Sequence, residues 1–191
     1  MYSSIAYARI EMFARAISRM TDTDELLSRR VQRWTPQPWL QWWMLAATRA
    51  GDGWLWGMAG VVVLVSGTRN ALRAFNSTAA AVVCGIVFFQ FLKRLVNRRR
   101  PCEFGPPIWH SLLPPDRFSF PSGHSITAFT VAAALGSFYP AAWPALIFCA
   151  ASVAASRLVL GMHFLSDVLA GSAIGIALGY SAFCIAMRNS I

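Results

Sequence analysis

Apolar residues fall into six runs separated by short polar or glycine-containing stretches. The runs cover residues 37–50, 54–68, 76–95, 122–139, 143–160 and 167–187. The last four approach the roughly 20 residues that a helix needs to cross a bilayer. The first two are short and adjoin at residues 51–53. They are predicted as a tight pair of spans, or the first run lies in the membrane interface with its tryptophans at headgroup depth. The pattern predicts an all-α, polytopic membrane helix bundle, and we favour six transmembrane helices.

A different pattern marks the N-terminal segment, residues 1–36. Apolar side chains recur there at steps of four and three, at Ala6, Ile10, Phe13, Ile17 and Met20, with arginines on the rest of the helical wheel. This spacing predicts an amphipathic basic helix, which lies on the cytoplasmic membrane surface or packs on the end of the bundle. Thr21 and Asp24 form a capping pattern that predicts a second short helix ending near Arg33. We therefore divide the chain into this segment and a membrane-embedded domain, residues 37–191.

Composition supports a membrane protein and argues against a nucleic-acid partner. Hydrophobic residues make up 56% of the chain, charged residues only 13%, and the mean hydropathy is +0.47. A net charge of +9 is typical of proteins that bind nucleic acids. The charges, however, lie at the ends of apolar runs, and the tryptophans lie where an aromatic belt is expected, at Trp39, Trp42, Trp43, Trp54 and Trp56.

The most informative polar set is Ser156-Arg157, followed by His163 and Asp167. Residues four apart share one face of a helix, so the carboxylate of Asp167 can orient one imidazole nitrogen of His163. The other nitrogen is then free to act as a nucleophile. We expect Arg157 in the last turn of the fifth span, a break at Gly161, and His163 at the start of the sixth span.

A second set, Pro121-Ser122-Gly123-His124, opens the fourth apolar run. Proline suits the first turn of a helix, and the free backbone N–H groups that follow it can bind an anion. Gly123 permits close approach of the anion, and the Ser122 hydroxyl can donate a further hydrogen bond. His124 is placed to give a proton to a leaving group.

The third set is Lys93 with Arg100-Pro101. Seven residues are nearly two turns of a continuing helix, so Lys93 and Arg100 would point in one direction and could bind one phosphate. Pro101 predicts that regular helix ends by Arg100. We expect the neighbouring Arg94, Arg98 and Arg99 to anchor the helix at the lipid headgroups.

Together the three sets resemble the tripartite signature of the type 2 phosphatidic acid phosphatase superfamily, the lipid phosphate phosphatases. The resemblance covers the chain from about residue 52 to the C-terminus. It implies catalysis by His163, His124 and Asp167, with phosphate bound by Lys93, Arg100, Ser122, Gly123 and Arg157. It also implies a phosphohistidine intermediate without a metal or other cofactor. Only Asp167 of the eight acidic residues joins these sets, which argues against a two-metal site.

The resemblance predicts an integral membrane phosphohydrolase that acts on a lipid phosphate or diphosphate. Undecaprenyl diphosphate is the first candidate substrate, and phosphatidic acid, phosphatidylglycerophosphate and lipid A are alternatives. Arg98, Arg99 and Arg117 are candidates for binding a second phosphate. A non-catalytic lipid-phosphate binding or transport protein on the same bundle is the competing hypothesis. A vanadium haloperoxidase, which shares this site, is disfavoured because those relatives are soluble.

The predicted location is the bacterial cytoplasmic membrane, with the site on the extracytoplasmic side. This orientation assumes a cytoplasmic N-terminus and six spans, while five spans would move only the N-terminus. Apart from Lys93, Arg100 and Arg157, more Lys and Arg residues then lie on the cytoplasmic side. The sequence leaves the oligomeric state open. Gly171, Gly175 and Gly179 form a groove on the last run, predicted to pack within the bundle in preference to forming a dimer seam.

Overall fold

The computed structural model describes residues 22–34, 36–101 and 118–188, which form helices joined by short turns. Residues 22–33 form α1. The helices that follow are α2 (Pro38–Gly51), α3 (Trp54–Val65), α4 (Ala71–Val96), α5 (Gly123–Phe138), α6 (Trp143–Val159) and α7 (Leu165–Arg188), and a 3-10 turn (Pro140–Ala142) precedes α6. The predicted all-α class is confirmed, and the short helix expected near Arg33 is α1. The amphipathic helix predicted within residues 1–20 lies outside the described residues.

Helix α5 is the centre of the bundle, where it packs against α4, α6 and α7. Its buried residues point in all directions around the helix and are mostly small, among them Ala128, Thr130, Ala132 and Ala134. A helix without a polar face is suited to being surrounded by other helices. Small side chains let the neighbouring backbones approach closely.

The three glycines of α7 face the backbone of α5. A Cβ atom on Gly171 would lie 2.7 Å from the carbonyl oxygen of Ser122, and one on Gly175 would lie 2.5 Å from that of Ile126. A Cβ on Gly179 would meet the carbonyl oxygen of Thr130. The groove is therefore filled within the bundle, as the sequence predicts, and is not free to form a dimer seam.

Three helical segments of the described chain are long and apolar enough to cross a membrane, and their residues are Ala71–Val96, Pro140–Val159 and Leu165–Arg188. Helix α3 is also apolar but shorter. Large apolar side chains on these helices are exposed, including Val87, Phe91, Leu169 and Ile185. Such a surface suits contact with lipid, so the protein is a membrane protein.

One end of the bundle, here called the site end, holds the C-terminal ends of α4 and α6 and the N-terminal ends of α5 and α7. The antiparallel order of successive helices brings these four ends together. The opposite end is marked by the hydroxyl groups of Thr68 and Tyr139, which lie 2.9 Å apart. All three sequence sets therefore map to the site end.

Helix α2 lies at the site end along its whole length. Near its start, Leu40 packs against a cluster that contains Leu160 and Met162, which follow α6. At its other end, Gly51 packs against His124. Trp39 and Trp42 are 70% and 72% exposed. These positions agree with the interfacial alternative for residues 37–50, whereas α3–α7 run between the two ends of the bundle.

Helix α1 also docks on the site end. The backbone N–H of Ser166 donates to Oδ1 of Asp24 over 3.1 Å, and Gln32 lies beside Gly161 in the turn between α6 and α7. The five-span alternative places residues 22–34 on the same side as the site, whereas the favoured six-span arrangement places them across the membrane from it. They lie on the same side as the site, because Asp24 is bonded to the start of α7. The boundary proposed at residue 36 stays a prediction.

Candidate active site

Lys93 and Arg100 meet at the site end, although the helix that carries Lys93 does not continue to Arg100. Helix α4 ends at Val96, and Asn97 adopts the left-handed conformation with φ 51°, which often terminates a helix. The chain then runs back, and Arg99 forms an isolated antiparallel bridge with Phe118. Both cations are buried, at 7% and 3% exposure. A chain reversal, rather than helical periodicity, brings them together.

The second set forms the start of α5, but two residues later than the sequence suggests. Ser122 is the N-cap and Gly123 is the first helical residue, so Pro121 precedes the cap. The Ser122 hydroxyl accepts hydrogen bonds from the backbone N–H and the hydroxyl of Ser125. Ser122 is fully buried and does not line the cavity described below. Its side chain therefore caps the helix, while the first-turn N–H groups of Gly123 and His124 have no partner within the helix.

A Schellman motif forms the turn between α6 and α7. Gly161 adopts the left-handed conformation with φ 65°; its N–H donates to the Leu158 carbonyl, and that of Met162 donates to the Arg157 carbonyl. The N–H of His163 also donates to the Arg157 carbonyl, over 3.1 Å. The motif thus holds the backbone of His163 against that of Arg157. His163 lies in this turn and precedes α7, which begins at Leu165.

The contacts of His163 define the roles of its two ring nitrogens. Nη1 of Arg100 lies 3.2 Å from Nε2 of His163 and also donates to the Met162 carbonyl over 2.8 Å. Because a guanidinium is only a donor, Nε2 must be the acceptor and Nδ1 carries the hydrogen. Nδ1 faces Oδ2 of Asp167 at 3.6 Å, which is beyond hydrogen-bond length. It has no hydrogen-bond partner among the described residues.

Electrostatics keep His163 in its neutral form. Its side chain lies in the turn outside the spanning helices and is 3% exposed as a residue. Burial lowers the pKa of His163 well below its usual value of 6.5, and the positive charges of Arg100 and Arg157 lower it further. In the neutral imidazole Nε2 is unprotonated, which is the form that can act as a nucleophile.

Asp167 is held by Arg98, which the sequence analysis assigned to headgroup anchoring. Nη1 of Arg98 donates to Oδ1 of Asp167 over 2.8 Å, and Nη2 donates to Oδ2 of Asp24 over 2.9 Å. The guanidinium also stacks on the ring of Phe164, 4.0 Å from its centroid. Arg98 therefore joins α1 to the start of α7, and its guanidinium is not directed at the headgroups. Oδ2 of Asp167 accepts from the backbone N–H of Phe164 over 2.8 Å.

A cavity of about 710 Å³ connects the three sets. Its polar end is lined by His124, His163 and four cations, of which Lys93, Arg100 and Arg157 are called the cation cluster and the fourth is Arg49. Its apolar part runs between α3, α4 and α5 and is lined by residues that include Trp56, Gly57, Val82, Phe89, Val131 and Leu135. The arrangement can bind a phosphate at one end and an apolar chain at the other.

Several residues at the site were missed by sequence reasoning. Nε2 of His124 lies 2.8 Å from Oδ1 of Asp52, and Nη1 of Arg157 donates to the hydroxyl of Thr48 over 2.5 Å. The sequence signal for Asp52 is its position as an acid between two glycines where two apolar runs adjoin. Thr48 carries no such signal. Trp56, predicted to lie in the aromatic belt, is instead buried at 8% exposure and lines the cavity.

Comparison with known proteins gives a matching family model, similar sequences and similar solved structures. A family model described as the PAP2 superfamily matches residues 70–191. Lipid A 1-phosphatase from Rhizobium etli is 34% identical over 128 residues, which cover 62% of this chain and 55% of the relative. Phosphatidylglycerophosphatase B from Bacillus subtilis is 31% identical over 156 residues, covering 74% and 73%. Decaprenylphosphoryl-5-phosphoribose phosphatase from Mycobacterium tuberculosis is 34% identical over 128 residues, covering 66% and 68%. The chain spans about half the length of the Rhizobium etli relative.

Among solved structures, the PAP2-type phosphatidylglycerolphosphate phosphatase from Bacillus subtilis matches 98% of this chain and 98% of its own chain. The TM-score is 0.74 and the sequence identity is 25%. The match of the family model over more than half of the chain, together with this fold, agrees with the resemblance stated above. The chain therefore belongs to the PAP2 superfamily.

Proposed function

We propose that the protein is a membrane phosphohydrolase that removes phosphate from a lipid phosphate, with His163 as the nucleophile. The observation that carries the proposal is the single cavity that joins two histidines and the cation cluster to an apolar channel. A protein that only binds phosphate would need the cations but not two imidazoles on one cavity.

In the first step, Nε2 of His163 attacks phosphorus and forms an N–P bond while the bond from phosphorus to the lipid oxygen breaks. His124 gives a proton to the leaving oxygen, so the lipid departs as an alcohol. In the second step, water gives a proton to His124 and attacks phosphorus, and the N–P bond breaks to release inorganic phosphate. Asp167 faces the Nδ1 hydrogen of His163 and is suited to stabilise the positive ring that forms during attack.

The cation cluster supplies the electrostatic part of the mechanism. Arg100 and Arg157 are buried at 3% and 4% exposure, and Lys93 at 7%. Charges held in a site of low dielectric stabilise the equatorial oxygens of the transition state more strongly than the same charges in water. The first-turn N–H groups of Gly123 and His124 point toward the same end of the cavity as donors at a helix N-terminus.

The apolar channel supports a substrate with an extended hydrocarbon chain. The channel residue Phe75 lies 18 residues before Lys93 on α4, which corresponds to about 27 Å along a helix. The named relatives act, by their names, on lipid A, on phosphatidylglycerophosphate and on decaprenylphosphoryl-5-phosphoribose. We propose that the substrate is likewise a phosphorylated lipid.

Within this class we propose a phosphate monoester as the first candidate and undecaprenyl diphosphate as the second. Arg98 is a candidate from the sequence for binding a second phosphate, but both arms of its guanidinium are bonded to Asp24 and Asp167. Arg99 is exposed and paired through its backbone with Phe118. A diphosphate would therefore lack Arg98 as a donor to its second phosphate, while Arg117, the third candidate from the sequence, lies outside the described residues.

We further propose that the site end faces the extracytoplasmic side, as predicted from the sequence, with five spans in place of six. The bonds of Asp24 support α1 on the site end, and α2 lies along the same end, so that α3–α7 are the spans. Five spans move only the N-terminus to the other side. The opposite end of the bundle, with Arg69, Arg73 and Arg188, then faces the cytoplasm.

The orientation is tested by fusing alkaline phosphatase, which is active only after export, to the C-terminus. Helix α7 ends at the end opposite the site, so the fused alkaline phosphatase should be inactive, while green fluorescent protein fused at the same position should be fluorescent. An active alkaline phosphatase would contradict the proposed orientation.

The function is tested by phosphate release from purified protein in detergent. The substrate panel contains phosphatidic acid, phosphatidylglycerophosphate, lipid A and undecaprenyl diphosphate. We expect release from a monoester, and we expect His163→Ala and Arg100→Ala to abolish it without loss of the folded protein. Arg94→Ala removes an exposed arginine from the same region and is the matched control that retains activity. No release from any lipid, with retained binding of phosphatidic acid, would favour the lipid-phosphate binding protein.

A further inference from the structure

One acidic side chain at the cavity has no role in the mechanism above. Asp52 lies in the turn between α2 and α3 and lines the cavity. Its Oδ1 lies 2.8 Å from Nε2 of His124. The pair is partly exposed, with side-chain exposures of 46% for Asp52 and 25% for His124, so the contact is at the mouth of the site.

The local backbone holds Asp52 firmly in this position. A Cβ on Gly51 would lie 2.8 Å from Cγ1 of Val153 and 3.2 Å from Cδ2 of His124, so the end of α2 is pressed against α6 and the imidazole. The N–H of Asp52 donates to the Arg49 carbonyl over 3.2 Å. Gly53 follows with φ 129°, a conformation that favours glycine. The turn thus holds the carboxylate of Asp52 beside the imidazole of His124.

The charge of Asp52 is unfavourable for binding the substrate by itself. A carboxylate beside the cation cluster repels a phosphate anion and weakens the positive field that attracts it. A carboxylate bonded to an imidazole, however, fixes the ring orientation and stabilises the imidazolium form. Such a charge is useful at this site when the imidazole must carry a proton that the reaction uses.

We propose that Asp52 is a positioning residue for His124, an inference that rests on the proposed function. Asp52 accepts the hydrogen bond from Nε2–H, and the other ring nitrogen, Nδ1, carries the proton that passes to the leaving lipid oxygen. His124 becomes neutral in that step and keeps its Nε2–H bond to Asp52. It then takes a proton from the attacking water, which restores the imidazolium.

The test compares Asp52→Asn with wild-type protein on phosphatidic acid, whose alkoxide is a poor leaving group. The asparagine has the same shape but no charge. Since general acid catalysis contributes about 10²–10⁴-fold, we expect kcat to fall by about 10- to 100-fold. KM should stay the same or fall, because a negative charge has left an anion site. A structural role for Asp52 predicts the opposite split, a raised KM with little change in kcat, and would overturn the proposal.

The matched control is Glu25→Gln. Glu25 is a carboxylate on α1 with 47% side-chain exposure, close to the 46% of Asp52, and it lies outside the cavity lining. Loss of this charge should leave kcat on phosphatidic acid unchanged. An equal loss of kcat in Glu25→Gln and Asp52→Asn would show a general effect of net charge and would overturn the proposal.

A double-mutant cycle identifies His124 as the residue through which Asp52 acts. Asp52→Asn should cause no further loss of kcat in a His124→Ala background, because the group that it positions is already absent. Losses that add in the double variant would overturn the proposal. The proposed function fails separately, if His163→Ala still releases phosphate. If His163→Ala is inactive and Asp52→Asn behaves like wild-type protein, only the inference about Asp52 fails.

Discussion

Replacing Arg98 by leucine should destabilise the protein far more than replacing any exposed arginine of the same region. Arg98 bridges Asp24 and Asp167, and the side-chain exposures of the three residues are 19%, 8% and 0%. Leucine keeps part of the apolar stem but leaves two carboxylates without their common cation. Breaking a buried ion pair by removing one partner costs about 3–5 kcal/mol. For a chain of this size, that loss corresponds to a fall in Tm of about 6–20 °C.

The measurement is thermal unfolding in detergent, followed by tryptophan fluorescence. Arg94→Leu removes an exposed arginine four residues earlier and is the matched control, with an expected change in unfolding free energy within about 0.5 kcal/mol. Arg98→Lys keeps the charge but not the fork that reaches both carboxylates, so its Tm should lie between those of Arg98→Leu and wild-type protein. Equal Tm values for Arg98→Leu and Arg94→Leu would refute the bridge as a stabilising contact.

Three further outcomes are expected. Burial lowers the pKa of His163, so its neutral form, the proposed nucleophile, persists as the pH falls below 6.5. Protonation of His163 should therefore decrease kcat/KM only at lower pH. A decrease that is due to His163 and is centred at pH 6.5 or above would contradict this. Gly175→Ala should lower the unfolding free energy by about 1–3 kcal/mol, because the added Cβ would collide with the Ile126 carbonyl. The control Gly57→Ala should be neutral or stabilising, since a Cβ there meets nothing within 4 Å. Equal changes in Tm for the two variants would show that α5 and α7 are less closely packed. Phosphate release should persist in excess chelator, and loss of activity that a divalent cation restores would show that the reaction needs a metal ion.

Much of the fold follows from local sequence patterns. The apolar runs correspond to α2–α7, since a stretch of apolar residues in a membrane satisfies its backbone hydrogen bonds as a helix. The groove of Gly171 and Gly175 was correctly predicted to pack inside the bundle. The helix that ends at Arg33 was predicted from its capping pattern. These features depend on residues that are neighbours in the chain, and local patterns therefore contain the information.

The site was harder to predict where it depends on reversals of the chain. Helical periodicity predicts that Lys93 and Arg100 point in one direction, but α4 ends at Val96 and the left-handed Asn97 turns the chain. The favoured six-span arrangement places the N-terminal segment across the membrane from the site, yet Asp24 is bonded to Ser166. In the first case the outcome depends on a turn whose direction the local pattern leaves open. In the second it depends on a contact between residues that are far apart in sequence.

Sequence alone determined that this is an all-α membrane protein with three polar sets at the ends of its apolar runs, because apolar run length and motif spacing are local properties of the chain. Only the tertiary structure decided that α1 and α2 lie at the site end, and that Arg98 joins Asp24 to Asp167. It also decided that Asp52 faces His124. A buried charge is stable only beside its partner, and which partner that is depends on how distant helices pack.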